Sequence, residues 1–221
     1  MLAMPPRLLA FALVLACGLA GPVQAGGDDA LAQVLKRLQQ RYETTRTLTA
    51  QFHQTVESPT LAGALESRGT VAFEKPNRMR WDYEPPDRQV IVGDGETLWI
   101  YQPEERQVIK APLTEAFQAT TPVTFLAGLG RLERDFVATL EREDAEHWVL
   151  RLVPRKDAGI GTLVLSARKP DAIVEEARIT DPLGTTTVLH LTGERRNVTL
   201  DAALFRFTPP PGADVVHPPA H

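Results

Sequence analysis

Between Asp28 and Tyr42 the apolar residues Leu31, Val34, Leu35, Leu38 and Tyr42 recur every three or four positions. This spacing predicts an amphipathic helix capped by Asp28-Asp29, with Gln, Lys and Arg on its wet face. From Thr47 the period drops to two. Leu48, Ala50, Phe52 and Val56 alternate with polar residues, as do Gly69, Val71 and Phe73, and then Met79, Trp81 and Tyr83 around Arg80 and Asp82. Each run reads as a half-buried antiparallel strand. Asp94-Gly95 lies between runs at 89–93 and 97–101 and predicts a tight hairpin, because such turns need positive φ at their centre. Strand pattern continues over 107–111, resumes over 136–141, 147–153, 162–167, 173–180 and 186–191, and ends in a short strand, Leu204 to Phe207. Turn chemistry separates these runs at Gly159-Ile160-Gly161, Lys169-Pro170-Asp171 and Asp181-Pro182-Leu183-Gly184.

Between Pro112 and Arg131 the alternation stops. Thr121-Pro122 suits a helix start and Gly128 and Gly130 suit helix ends, which predicts one or two short helices carrying Leu113, Phe117, Val123, Phe125, Leu126 and Leu129. Some ten or eleven strands in hairpin order, with helices only at the front and in one insertion, imply a mainly β (α+β) fold built on one large curved antiparallel sheet. With so few helices to cover it, the inner face must be hidden by the sheet curling on itself and by helices plugging what remains. That architecture leaves a concave apolar interior.

Composition adds a destination and removes several functions. In residues 1–25 Arg7 is the only charged side chain, Leu8 to Ala20 is almost wholly apolar, and Val23-Gln24-Ala25 precedes Gly26-Gly27. The segment reads as a signal peptide cleaved after Ala25, leaving one domain over 26–216 and a disordered tail over 217–221. Loss of Arg7 leaves 23 basic against 28 acidic residues, a net charge of −5 that disfavours a nucleic-acid partner. Cys17, the only cysteine, lies in the leader, so the exported domain has no disulfide, thiolate metal site or cysteine nucleophile. Val14-Leu15-Ala16-Cys17 also reads as a lipobox, and a lipidated Cys17 would make the chain a membrane-anchored protein instead.

None of His53, His147, His190, His217 and His221 stands in a zinc-ligand spacing. There is no GxSxG elbow and no P-loop, and Gly128-Leu129-Gly130 is too short for a dinucleotide fingerprint. Asp82, Glu84, Asp87, Asp94 and Glu96 cluster where strand edges and turns usually carry charge. The expectation is a protein with no catalytic residue, no metal and no cofactor.

The run from Gly69 to Tyr83, GTVAFEKPNRMRWDY, is followed by Pro85, by QVIVGDG ending at Gly95 and by Leu98-Trp99-Ile100-Tyr101. It closely resembles the outer-membrane lipoprotein carrier family of the periplasmic LolA type. Phe52-His53-Gln54, Thr121-Pro122 and the run from Phe205 to Pro210 extend the resemblance over nearly the whole exported chain. It implies an unclosed barrel of eleven antiparallel strands with an α-helical lid, working in the periplasm as a monomer. Such a carrier takes acylated lipoproteins from an inner-membrane ABC transporter and passes them to an outer-membrane lipoprotein receptor. In that family a basic residue before Pro-Asn, usually arginine, bonds lid carbonyls and holds the closed state; here it is Lys75, which lacks the planar fork. The family's apolar residue before the strand tryptophan maps to Met79, whose flexibility suits variable acyl packing.

Three acyl chains of about 15 carbons represent on the order of 36 kcal/mol of hydrophobic transfer, so such cargo cannot cross water unshielded. The lining candidates are Phe52, Phe73, Met79, Trp81, Tyr83, Trp99, Tyr101, Phe117, Phe125 and Leu126, beside Lys75 at the lid. Two alternatives share the fold: a lipid-anchored receptor with Cys17 acylated, and a domain sensing another lipid or a peptide.

Overall fold

The computed structural model describes residues 26–60, 62–113, 131–156 and 161–217. Within them the chain forms helix α1 (Gly26–Glu43), strands β1 (Thr47–Glu57), β2 (Leu65–Glu74), β3 (Arg78–Tyr83), β4 (Val90–Asp94), β5 (Thr97–Gln102) and β6 (Gln107–Pro112), and a single helical turn, α2 (Leu132–Asp135). Strands β7 (Phe136–Glu143), β8 (His147–Pro154), β9 (Thr162–Arg168), β10 (Val174–Thr180), β11 (Thr186–Arg196) and β12 (Asp214–Val216) complete it. The leader, the lipobox, Phe117, Phe125, Leu126 and the last four residues of the tail lie outside the described residues.

One sheet holds all twelve strands, in the order β12-β6-β5-β4-β3-β2-β1-β11-β10-β9-β8-β7. Because β12 and β7 stand at opposite edges, the barrel is unclosed, as the resemblance implies. Neighbours are antiparallel except β12, which runs parallel to β6 with Asp214 opposite Gln107. The sheet is thus one strand larger than the expected eleven. That extra strand is three residues long, too short to show a period. The predicted strand Leu204–Phe207 does not form; Ala202–Phe205 is a 3-10 turn instead. Asp201 causes this by capping the turn, its carboxylate accepting the Ala203 amide at 2.9 Å. The helix also begins earlier than predicted, so Asp28 and Asp29 lie inside α1 rather than capping it.

Alternation decides which side chains enter the core. On β9 Leu163, Leu165 and Ala167 are buried while Thr162, Val164 and Ser166 between them are only half-buried. The same rule sends Trp148, Leu150 and Leu152 inward from β8, and Val71 and Phe73 from β2. Helix α1 lies on this inner face with Val34, Leu35, Leu38 and Tyr42 buried against it, so the predicted stripe is the buried one. A second cluster lies apart from that core. Val92, Val108 and Phe205 are buried but belong to the outer face, where the segment after β11 crosses β3 and β4 before ending as β12.

Candidate functional site

Three adjacent strands bring four of the six predicted aromatic residues within the described residues together on the inner face. Register places Phe52 opposite Gly69, Val71 opposite Trp81 and Phe73 opposite Met79. Met79, Trp81 and Tyr83 then share one face of β3. Phe52 meets Trp81 at a centroid distance of 5.0 Å and Tyr83 at 4.8 Å, and Phe73 meets Trp81 at 5.8 Å, all edge to face. This is the arrangement ring quadrupoles favour. Gly69 makes it possible: a Cβ there would stand 1.9 Å from the Asp82 carbonyl oxygen and 3.0 Å from the Phe52 ring. The Tyr83 hydroxyl donates to Gln54 Oε1 at 3.3 Å, and burial pushes its phenol pKa up.

Trp99 is not part of this surface, which corrects its assignment to the lining, and Tyr101 goes with it. Leu98 and Ile100 take the inner positions of β5, so the pleat turns Trp99 and Tyr101 outward. There Phe207 packs against both, at 5.7 and 5.9 Å, and Lys110 lies over the Trp99 ring at 5.0 Å. The indole N–H of Trp99 donates to Asp94 Oδ2 at 3.0 Å, while Asp94 Oδ1 accepts the Glu96 and Thr97 amides of the predicted hairpin. Burial alone would raise the Asp94 pKa; these hydrogen bonds outweigh it and hold the carboxyl below its ordinary value. The inner surface missed from sequence lies on the other half of the sheet, in Trp148, Leu150, Leu152, Leu163 and Leu165. Their alternation was legible, but nothing in it marked them as facing α1.

The end of α1 is fastened by polar groups from four parts of the chain. Lys75 Nζ donates to the carbonyl oxygens of Tyr42 and of Glu43, the latter at 3.5 Å. A cation there meets both the unpaired carbonyls and the negative end of the helix dipole. Burial lowers the Lys75 pKa, against the pull of Glu43. Asn197 Nδ2 donates to the Thr44 carbonyl at 3.3 Å, and Arg37 Nη2 donates to the Lys169 carbonyl at 2.8 Å with its guanidinium over the Trp148 ring. The Tyr42 hydroxyl accepts the Val174 amide at 3.2 Å, and its phenol is pushed far upward by burial. Arg41 Nη2 reaches Glu194 Oε1 of β11 at 2.9 Å. Burial raises the Glu194 pKa more than Arg41 lowers it. All these ties fall between residues 37 and 44.

Among the described residues no three His, Cys, Asp or Glu side chains are grouped to hold a metal ion, and no helix is long and apolar enough to cross a membrane. What the geometry offers is an apolar inner face, aromatic on β1 to β3, with an amphipathic helix packed into the same core.

A family profile described as "Outer membrane lipoprotein carrier protein LolA" matches residues 43–208. An outer-membrane lipoprotein carrier protein of Leptothrix cholodnii is 36% identical over 205 residues, covering 92% of each chain. One from Chromobacterium violaceum is 33% identical over 211 residues, covering 96% of each. Among solved structures, an uncharacterized conserved protein from Thermus thermophilus superposes with a TM-score of 0.55 at 16% identity, over 85% of this chain and 99% of that one, which shows a shared fold.

Proposed function

This chain belongs to the LolA family of outer membrane lipoprotein carrier proteins, and from that premise we propose that it shields lipoprotein acyl chains between α1 and the aromatic inner face. The family is one of carriers rather than enzymes. In this reading the protein works in the periplasm, takes cargo from an inner-membrane ABC transporter and surrenders it to an outer-membrane lipoprotein receptor. No bond is made or broken in it.

The observation that carries the proposal is the cover: an amphipathic helix packs on the inner face, with Val34, Leu35 and Leu38 buried in the same core as the aromatic residues. Three such side chains contribute roughly 5–9 kcal/mol of burial. One acyl chain of about 15 methylenes contributes about 12 kcal/mol. Fatty tails therefore compete well with the helix for the same surface. Phe52, Phe73, Met79, Trp81 and Tyr83 supply that surface, and Lys75 holds the lid shut through the carbonyls of the last helical turn.

The test is lipoprotein release from spheroplasts bearing an active transporter. Added protein should carry newly made lipoprotein into the soluble fraction; cargo that stays on the membrane overturns the proposal.

A further inference from the structure

Strand β11 carries two residues, Gly193 and Glu194, opposite the single Ala50 of β1: the register runs Gln51 to Thr192 on one side and Thr49 to Arg195 on the other. Gly193 takes φ +64°, the left-handed conformation that such a bulge needs. The bulge re-aims Glu194 towards α1. Its side chain is 4% exposed, beside an Arg41 side chain that is 9% exposed.

The pair is incompletely bonded for its depth. Arg41 Nε and Glu194 Oε2 are buried and meet no protein partner, leaving a single contact between the two groups. Of the other charges facing Glu194, Arg196 Nε of β11 stands 3.7 Å away. Arg168 and Asp171, which act on it from the β9 side, are bonded to each other at 2.7 Å. A buried ion pair with unfilled hydrogen-bond positions loses more hydration than its attraction returns, and recovers it when the groups part into water. The raised Glu194 pKa agrees with that balance.

Arg41 follows Leu38 by three residues, so both share one face of the helix. Any motion that lifts Leu38 from the sheet also lifts Arg41 from Glu194. Resting on the acyl-carrier reading above, we propose that Arg41 and Glu194 are positioning residues of the lid, seating α1 in one register while raising the free energy of the closed state. The closed cover is thereby kept exchangeable. An apolar pair in the same place would give a tighter lid and a poorer carrier.

The test replaces both charges, in R41M/E194M and in the polar, uncharged R41Q/E194Q, and follows thermal unfolding and titration with fluorescent palmitate on the purified protein. The double variants should melt higher, by ~5 °C, and bind palmitate about tenfold more weakly. The charge-swapped R41E/E194R should return both towards the parent values. A merely structural pair would move stability and binding together, not in opposite directions. Double variants that bind as the parent does, or that melt lower, overturn the positioning role alone. A parent protein that takes up no palmitate overturns the carrier reading and this inference with it.

Discussion

The two faces of strands β1 to β5 both carry aromatic side chains, and they are covered in different ways. On the inner face Phe52, Phe73, Trp81 and Tyr83 share one buried core with α1, a helix bound to the sheet by apolar contact through Val34, Leu35, Leu38 and Tyr42 and by polar ties near its end. On the outer face Trp99 and Tyr101 lie against Phe207, in a segment held at intervals by backbone groups. Arg80 donates to the Leu204 carbonyl at 3.2 Å, the Asp214 amide donates to the Arg106 carbonyl at 2.8 Å, and β12 pairs with β6. A cover stitched by backbone hydrogen bonds loses many partners at once if it lifts, whereas a helix keeps its own bonds and sheds only side-chain contacts. On the proposed function, the inner cover is therefore the one with which apolar cargo exchanges.

That contrast breaks first where both faces depend on one backbone contact. Gly69→Ala forces a Cβ into the Asp82 carbonyl and should cost on the order of 4 kcal/mol, read as a loss of folded protein in urea unfolding. Next comes the direct comparison of the faces. Phe205→Ala and Trp81→Ala should each cost ~3–5 kcal/mol, since both side chains are buried. Only Trp81→Ala should also weaken palmitate binding per folded molecule; equal weakening by both would erase the distinction.

A smaller effect tests the latch. Lys75→Met removes the donor to two helix-end carbonyls and should destabilise the closed lid by about 1–2 kcal/mol, raising palmitate affinity several-fold, while Lys75→Arg should stay near the parent value. A binding curve unchanged in Lys75→Met would remove Lys75 from the lid mechanism.

The smallest effect separates the regions by the sign of their pH dependence. Asp94, on the outer-face hairpin, is held below its ordinary 3.8, so its contribution is present above that value and is lost as pH falls through the lowered pKa. Glu194, at the lid, is raised above its ordinary 4.5, so its contribution is complete below that value and is lost as pH rises through the raised pKa. Stability measured against pH should therefore fall less steeply on the acid side in Asp94→Asn, and decline less above about 4.5 in Glu194→Gln. Slopes of the same sign at both sites would contradict this assignment.

The amino-acid sequence by itself determined α1, its buried stripe, eleven of the twelve strands and the hairpin at Asp94-Gly95, because each depends on residues within a few positions of one another. It also placed Met79, Trp81 and Tyr83 on one face, since Arg80 and Asp82 between them label the other. On β5 no such label exists: Leu98, Trp99, Ile100 and Tyr101 are all apolar or aromatic, so parity shows that two faces alternate without showing which is inside. Only the packed sheet, with α1 on one side and Phe207 on the other, decided that Trp99 points outward. The same holds for Arg41 and Glu194, 153 residues apart and joined by a bulge that breaks the period on which sequence reading relies. Local pattern sets what a segment can form; which of its surfaces is hidden, and by what, is a property of contacts between distant segments.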